Sequence, residues 1–345
     1  MNMPRITIVV VCYNAIKTIK ACFESLVRQT FRDDLYEIVF VDNQSTDGTL
    51  EWLHTNASRH ANARVVVNPV RNIAKSRNIG LAEAQSPYVA YIDSDCTAPH
   101  NWLKRLAEGY RHYAETDAKL VGVGGANVPP PDQGRFYTTL NIFLNTFLGS
   151  HGSVQGKRFE SDCYVPHLPT VNVLYRKKEI AALKFDEALG NIGEDQDLSF
   201  RLSKAGYRLL YLKDAAVVHF MRDSPGSWMQ NMFVYGKGRA RLILKHPRFV
   251  EPILFAPLLL VICLLAAVFG FLSVWPAVPF LLYCLFVFCY SIFAALKAGK
   301  PLYFANLFVI YVATHLSYGI GQGYGFLMHA LNPCGHGSEK QYDGF

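Results

Sequence analysis

The sequence predicts an α/β domain on a mostly parallel sheet, followed by C-terminal transmembrane helices. Three observations carry this. Over residues 6–115, short apolar runs alternate with amphipathic segments in four strand–helix units, the pattern of a sheet covered on both faces. Each apolar run ends in polar residues, and such sheets bind ligands beyond the carboxyl ends of their strands. The chain has 345 residues, 51% of them hydrophobic, and from Pro252 onward the apolar stretches reach the roughly 20 residues that cross a bilayer.

Taken in order, Ile6–Cys12 (ITIVVVC) reads as a buried strand and Ile16–Arg28 as its helix. Three more pairs follow: Tyr36–Asp42 with Gly48–Ala57, Ala63–Asn68 with Ala74–Ala84, and Val89–Asp93 with Asn101–Glu115. Val121–Pro129 is a further strand. In Arg135–Ser153, Phe136, Leu140, Phe143, Leu144, Phe147 and Leu148 recur at helical spacing with no charge after Arg135, which suits a core helix or one lying against a membrane interface. Another helix lies within residues 191–212, opened by Gly193 and closed by Gly206. Residues 1–225 thus form the soluble domain, and residues 226–250 a basic, amphipathic linker helix at the membrane surface. A membrane domain over residues 251–331 is expected to have about three helices: Pro252–Val274, Pro276–Leu296 and Leu302–Leu331. Gly319, Gly321, Gly323 and Gly325 interrupt the third, leaving a kinked or re-entrant course open, and residues 332–345 form a tail.

The formal charge of +7 does not point to nucleic acid, because the basic residues are dispersed. Their densest patch, Lys237 to Arg248, precedes the first apolar run, where it would meet anionic lipid headgroups. The eight cysteines show no C-x-x-C pair and no zinc spacing, as expected of reduced thiols in a cytoplasmic domain. The first apolar run is strand-length with no cleavage site behind it. Lys297 and Lys300 fall between the second and third apolar stretches, which places them on the cytoplasmic side together with the soluble domain.

Asp93 and Asp95 sit one residue apart at a strand end (VAYIDSD). Two carboxylates that close repel unless a cation lies beside them, and an oxygen site with few ligands suits Mg2+ or Mn2+ completed by phosphate oxygens. Asn14 and Asp42 end two other strands at the same edge. In GEDQDLSFRLSKAGY, Glu194, Asp195 and Asp197 fall at a helix N-terminus. They could simply complement the helix dipole, or Asp195 or Glu194 could be a general base for an acceptor hydroxyl.

VVVCYNAIKTIKACFESLVRQTF, YEIVFVDNQSTDGT, RNIAKSRNIGLAEAQSPYVAYIDSD and NIGEDQDLSFRLSKAGY, in that order, resemble the family 2 inverting glycosyltransferases of the GT-A fold. WMQNMFVYGKGRARLILKHP followed by apolar helices is similar to their membrane-bound branch that builds exopolysaccharides and lipid-linked glycans, including succinoglycan-type glucosyltransferases. The resemblance implies that Asp42 accepts from the uracil ring of a UDP-sugar. It further implies that Asp93 lies near the ribose, that Asp95 binds the metal on the diphosphate, that Arg77 lies near the nucleotide and that Asp195 is the catalytic base. His219 matches a position that adds a metal ligand in some relatives; a buried structural histidine fits it equally.

The expected activity is inverting, metal-dependent transfer of a sugar to a membrane-associated, polyprenyl-linked acceptor, at a cell inner membrane with the catalytic domain cytoplasmic. Two alternatives stand beside it. A processive synthase is disfavoured because Trp228 is followed by MQNMF where those enzymes carry Q-x-x-R-W. A non-catalytic scaffold that binds nucleotide-sugar is disfavoured because Asp42, Asp93, Asp95 and Asp195 are all present.

Overall fold

The computed structural model describes residues 5–131, 134–151, 153–154, 156–269 and 275–332. In chain order the strands are β1 Ile6–Cys12, β2 Tyr36–Asp42, β3 Ala63–Val67, β4 Tyr88–Ile92, β5 Cys96–Thr97, β6 Leu120–Gly124, β7 Asn127–Val128, β8 Cys163–Val165, β9 Asn172–Arg176, β10 Arg208–Tyr211 and β11 Val217–His219. The helices are α1 Ile19–Val27, α2 Thr49–Ala57, α3 Ile73–Glu83, α4 Trp102–Ala114, α5 Gly134–Leu144, α6 Phe147–Ser150, α7 Lys177–Leu183, α8 Glu194–Lys204, α9 Pro225–Lys245, α10 Ala256–Phe269, α11 Val278–Lys297 and α12 Phe304–Leu331. The chain divides into two units. One runs to Pro130 and resumes from Ser153 to Met221; the other holds the intervening segment and everything from Arg222 onward.

The first unit carries an eight-stranded sheet in the order β3-β2-β1-β4-β9-β6-β10-β8. Only β9 and β8 run against the others, so the sheet is mixed but predominantly parallel. Its central strands are apolar on both faces because both are covered. Ile6, Ile8 and Val10 of β1 pack with Cys22, Leu53 and Trp102 from α1, α2 and α4. On the other face Val9, Val39 and Val41 meet Ala74, Ile180 and Leu198 from α3, α7 and α8. Gly80 lets α3 approach β1, since a Cβ there would stand 2.3 Å from a Val9 methyl.

Several boundaries differ from the sequence expectation for identifiable reasons. Helix α1 starts at Ile19, not Ile16, because the loop before it is held by the next one: Ala15 N–H donates to Thr49 Oγ1 (2.9 Å) and Ile16 N–H to Asp47 Oδ2 (3.0 Å). Val121–Pro129 is two strands. The chain turns out of the main sheet at Gly125, where a Cβ would lie 2.2 Å from the Ala215 carbonyl oxygen, and β7 then joins a second sheet, β5-β11-β7. The Arg135–Ser153 stretch forms α5 and α6, parted where Thr146 caps α6 by accepting from Gly149 N–H.

The second unit is a helical bundle. Val278–Lys297 and Pro301–Leu331 are long and apolar enough to cross a membrane, whereas Pro252–Val268 is shorter. The expected end of the first span, 270–274, and the expected tail beyond Asn332 lie outside the described residues. Helix α12 runs unbroken through its glycines, which serve close packing instead of a kink. A Cβ on Gly321 would stand 1.9 Å from the Phe233 carbonyl oxygen, and one on Gly236 would stand 2.0 Å from that of Tyr318. Small residues that bring backbones together are the usual solution where lipid removes the hydrophobic drive for helix association. The basic 226–250 segment is thus largely α9, laid along α12, with Trp228 Nε1–H donating to Thr314 Oγ1 (2.9 Å) and Arg239 Nε–H to the Tyr318 hydroxyl (2.9 Å).

Candidate active site

The sheet order reverses between β1 and β4: the chain moves outward to β3 and then returns to the other side of β1. Open α/β sheets bind ligands at such a point, beyond the carboxyl ends. The register sets Cys12 abreast of Asp42, and Asp42 abreast of Val67, so Asn14, Asp42 and Asn68 emerge at one edge, with Asp93 and Asp95 following β4.

Asp42 is fully buried. Its Oδ1 accepts the Ser45 N–H at 3.0 Å, while Oδ2 has no partner among the described residues. A buried carboxylate oxygen left without a donor is costly, and a ring N–H of a nucleobase would satisfy it. Beside it Asn68 donates to Ser76 Oγ (2.9 Å) and Asn43 Oδ1 (3.3 Å), which stiffens the loop. Asn14 is exposed, and its side-chain oxygen accepts from Thr46 N–H at 2.8 Å. It ties the loops after β1 and β2 together.

Arg77, on α3, is 6% exposed. One end of its guanidinium lies 3.5 Å from Asp93 Oδ1 and the other pairs with Glu194 Oε1 at the start of α8. Arg77 thus bridges Asp93 and Glu194. Burial pushes the Glu194 carboxyl up, and the Arg77 charge works against that. Gly193, at φ +85°, starts α8 in a left-handed turn open to glycine.

Asp195 differs from its neighbour. Its side chain is 21% exposed, and Oδ2 lies 3.4 Å from His167 Nε2, while Oδ1 accepts the Gln196 N–H at 2.7 Å. Burial favours protonation, but a protonated His167 beside it, then Arg77 and the Gln196 N–H, would outweigh that and hold the carboxyl down to about 2.

Asp95 is 39% exposed, and its Oδ1 lies 3.3 Å from His219 Nε2. The small sheet brings them together, since β11 sets His219 opposite Cys96. Asn127 on β7 holds the other ring nitrogen of His219 at 3.1 Å. The ligand atoms of Asp95, Cys96 and His219 lie within 4.8 Å of one another. A half-exposed carboxylate and an imidazole suit Mn2+ or Mg2+. Burial pushes the Cys96 thiol far up, and sulfur is a softer donor than the oxygen and nitrogen that Mg2+ and Mn2+ favour.

Of the residues singled out in the sequence, Asp93, Asp95, His219, Arg77, Glu194 and Asp195 are linked through direct contacts or shared neighbours at this edge. Asp42 and Asn14 lie at the β1–β2 side. His167, Cys96 and Asn127 were missed. They sit in a loop and two short strands without periodicity, and only the fold places them.

A mostly parallel sheet with strand-end carboxylates gathered at its switch point is shared with the glycosyltransferases of the GT-A type. Residues 7–178 match Glycosyl transferase family 2, and the chain belongs to that family. It is 29% identical over 329 residues to the succinoglycan biosynthesis protein ExoA of Rhizobium meliloti, covering 91% of this chain and 92% of that protein. Over 325 residues it is 22% identical to a Methanococcus voltae protein named dolichyl N-acetyl-alpha-D-glucosaminyl phosphate 3-beta-D-2,3-diacetamido-2,3-dideoxy-beta-D-glucuronosyltransferase, covering 92% of this chain and 96% of that protein. Among solved structures, a mannosyltransferase from Pyrobaculum calidifontis in complex with GDP-Man and Mn2+ has the same fold, at TM-score 0.60 and 18% identity, covering 94% of this chain and 88% of that one.

Proposed function

We propose that this enzyme transfers a sugar from a nucleotide-sugar, a UDP-sugar first, to a hydroxyl of a membrane-associated, polyprenyl-linked acceptor, with inversion at the anomeric carbon. The observation that carries this reading is the bridge made by Arg77. One buried guanidinium holds Asp93, at the carboxylate pair expected to face the donor diphosphate, and Glu194, the residue before the exposed carboxylate of Asp195. Donor binding and proton removal are thereby referred to the same rigid group.

Asp42 Oδ2 would accept a ring N–H of the base. Asp95 and His219 would hold Mn2+ or Mg2+, which when bound supplies positive charge to the departing diphosphate. Asp195, fixed in the first turn of α8, takes the proton of the acceptor hydroxyl as its oxygen attacks the anomeric carbon from the face opposite the leaving group. A single displacement inverts the configuration, so no carboxylate has to act as nucleophile. The polyprenyl-linked acceptor is supported by two helices long and apolar enough to cross a membrane and by the dolichyl-linked substrate in a relative's name. In this reading the enzyme is integral to a cell inner membrane, its catalytic unit cytoplasmic and its first apolar segment a third span.

The test is UDP release by the detergent-purified full chain from a panel of UDP- and GDP-sugars, with Mn2+ or Mg2+, with and without a native lipid extract. Release that requires one donor, a metal and lipid is the expected result. Full turnover with a soluble acceptor and no lipid sinks the acceptor assignment. For the base, Asp195→Asn should abolish transfer and leave UDP binding intact.

A further inference from the structure

His167 lies in the loop between β8 and β9, and no feature of the sequence marks it. Its Nε2 is buried and has no hydrogen-bond partner within ordinary geometry among the described residues. The acceptor near it is Asp195 Oδ2, at 3.4 Å. Catalytic hydrogen bonds are often this long in a protein without substrate and tighten when the complex forms. An imidazole nitrogen so placed can exchange a proton with Asp195.

We propose that His167, neutral and with the Nε2 lone pair toward Asp195, receives the reaction's proton from that carboxyl group. The inference rests on Asp195 acting as the base. As the acceptor oxygen bonds to the anomeric carbon, its O–H proton goes to the Asp195 carboxylate, and the anomeric C–O bond breaks with its electron pair leaving on the diphosphate. The proton then moves from Asp195 Oδ2 to His167 Nε2, and the carboxylate is regenerated. The His167 side chain is 14% exposed, which gives the imidazolium an outlet to solvent.

The electrostatics agree with this arrangement. A carboxylic acid is a stronger acid than an imidazolium, so a proton delivered to Asp195 passes downhill to a neutral imidazole beside it. The other charged and titratable groups around the pair are Arg77 on α3, Asp93 after β4, Glu194 on α8 and Tyr175 on β9. Arg77 is engaged by Glu194 and Asp93 and burial drives the Tyr175 phenol strongly upward, so neither Arg77 nor Tyr175 takes a proton from Asp195.

The experiment compares the full-length wild type with His167→Gln, which can still donate a hydrogen bond but cannot carry a proton, and with Asp195→Asn. For His167→Gln, kcat of sugar transfer should fall about 10- to 100-fold, within the range of general acid–base effects, with KM for donor and UDP affinity nearly unchanged. Its rate should lose the acid limb that the wild type shows in the range where imidazoles titrate, roughly pH 5 to 8. A variant within about threefold of wild type, or one that keeps the wild-type limb, overturns the proposal, as does loss of UDP affinity in step with kcat, which would mark a structural role. If His167→Gln does not fold, the wild-type profile alone decides: a rate that persists undiminished into the carboxylate range refutes the relay. Asp195→Asn separates the two readings. An active Asp195→Asn enzyme overturns the base assignment itself, whereas an inactive one beside an unaffected His167→Gln overturns only the role of His167.

Discussion

Replacing Arg77 with Met strands a buried charge, and the cost can be worked from the contacts. The side chains of Arg77 and Glu194 are 8% and 6% exposed, and Glu194 Oε2 already lacks a partner among the described residues. Arg77→Met leaves the Glu194 carboxylate buried without a counter-charge, a change that costs about 3–5 kcal/mol. Arg77→Met/Glu194→Met replaces both partners with apolar groups of similar reach, which is often close to neutral. The double variant should therefore recover most of the loss, with a coupling energy of about 3 kcal/mol. Asp93, 35% exposed, keeps access to water and adds little. Hydrogen exchange of the β1 and β4 amides in the full chain reads the stability of this unit directly. An Arg77→Met cost below about 1 kcal/mol, or a double variant that is simply additive, would refute the picture of one guanidinium clamping two elements. If the clamp exists, the double variant folds yet transfers sugar slowly, because Asp93 and α8 are no longer referred to one another.

Three further outcomes are expected. Asp42→Asn retains an oxygen for the Ser45 N–H but turns an amide N–H toward the position of the unpartnered oxygen, so UDP affinity measured by calorimetry should fall about 10- to 100-fold, the cost of opposing buried donors; unchanged affinity removes Asp42 from the base pocket. Asp95→Ala should reduce the gain in UDP affinity conferred by Mn2+ about tenfold or more, and an intact Mn2+ effect would reassign the ligand. Gly321→Ala must push α9 from α12, because the new Cβ meets the Phe233 carbonyl, whereas at Gly323 it meets only a Leu258 methyl at 3.1 Å. Gly321→Ala should thus cost about 1–3 kcal/mol, read as a lower thermal midpoint in detergent, with Gly323→Ala nearly silent; equal effects would contradict the packing.

The four strand–helix units were legible because a strand buried on both faces must be apolar throughout, and IVVV and IVFV leave no other reading. Asp93 and Asp95 were legible as a pair because they follow such a strand directly. The antiparallel insertion of β9 between β4 and β6 was not, since the pairing direction of a five-residue strand leaves no trace in its own sequence. Strands β5, β7 and β11 are two or three residues long, below any period, yet they alone bring His219 to Asp95 and Asn127 to His219. The glycines of α12 were visible, but their meaning was not. Composition reads them as interruptions, and only the neighbouring carbonyls of α9 show that they are contact points.

The order of the strands explains why this site needs a buried arginine at all. From β3 to β4 the sheet is parallel, and its strand ends supply the carboxylates expected to meet the donor. Glu194 and Asp195 come from α8, which follows β9 and α7, beyond the change of direction, so the parallel half cannot fix their position through backbone pairing. A side chain must span the gap, and it must be rigid and charged to hold a carboxylate on each side. Arginine meets both demands with one planar fork, while lysine offers a single point charge. Glu194 pairs with Arg77, while Asp195, one residue on and beside His167, is the carboxylate proposed to take the proton.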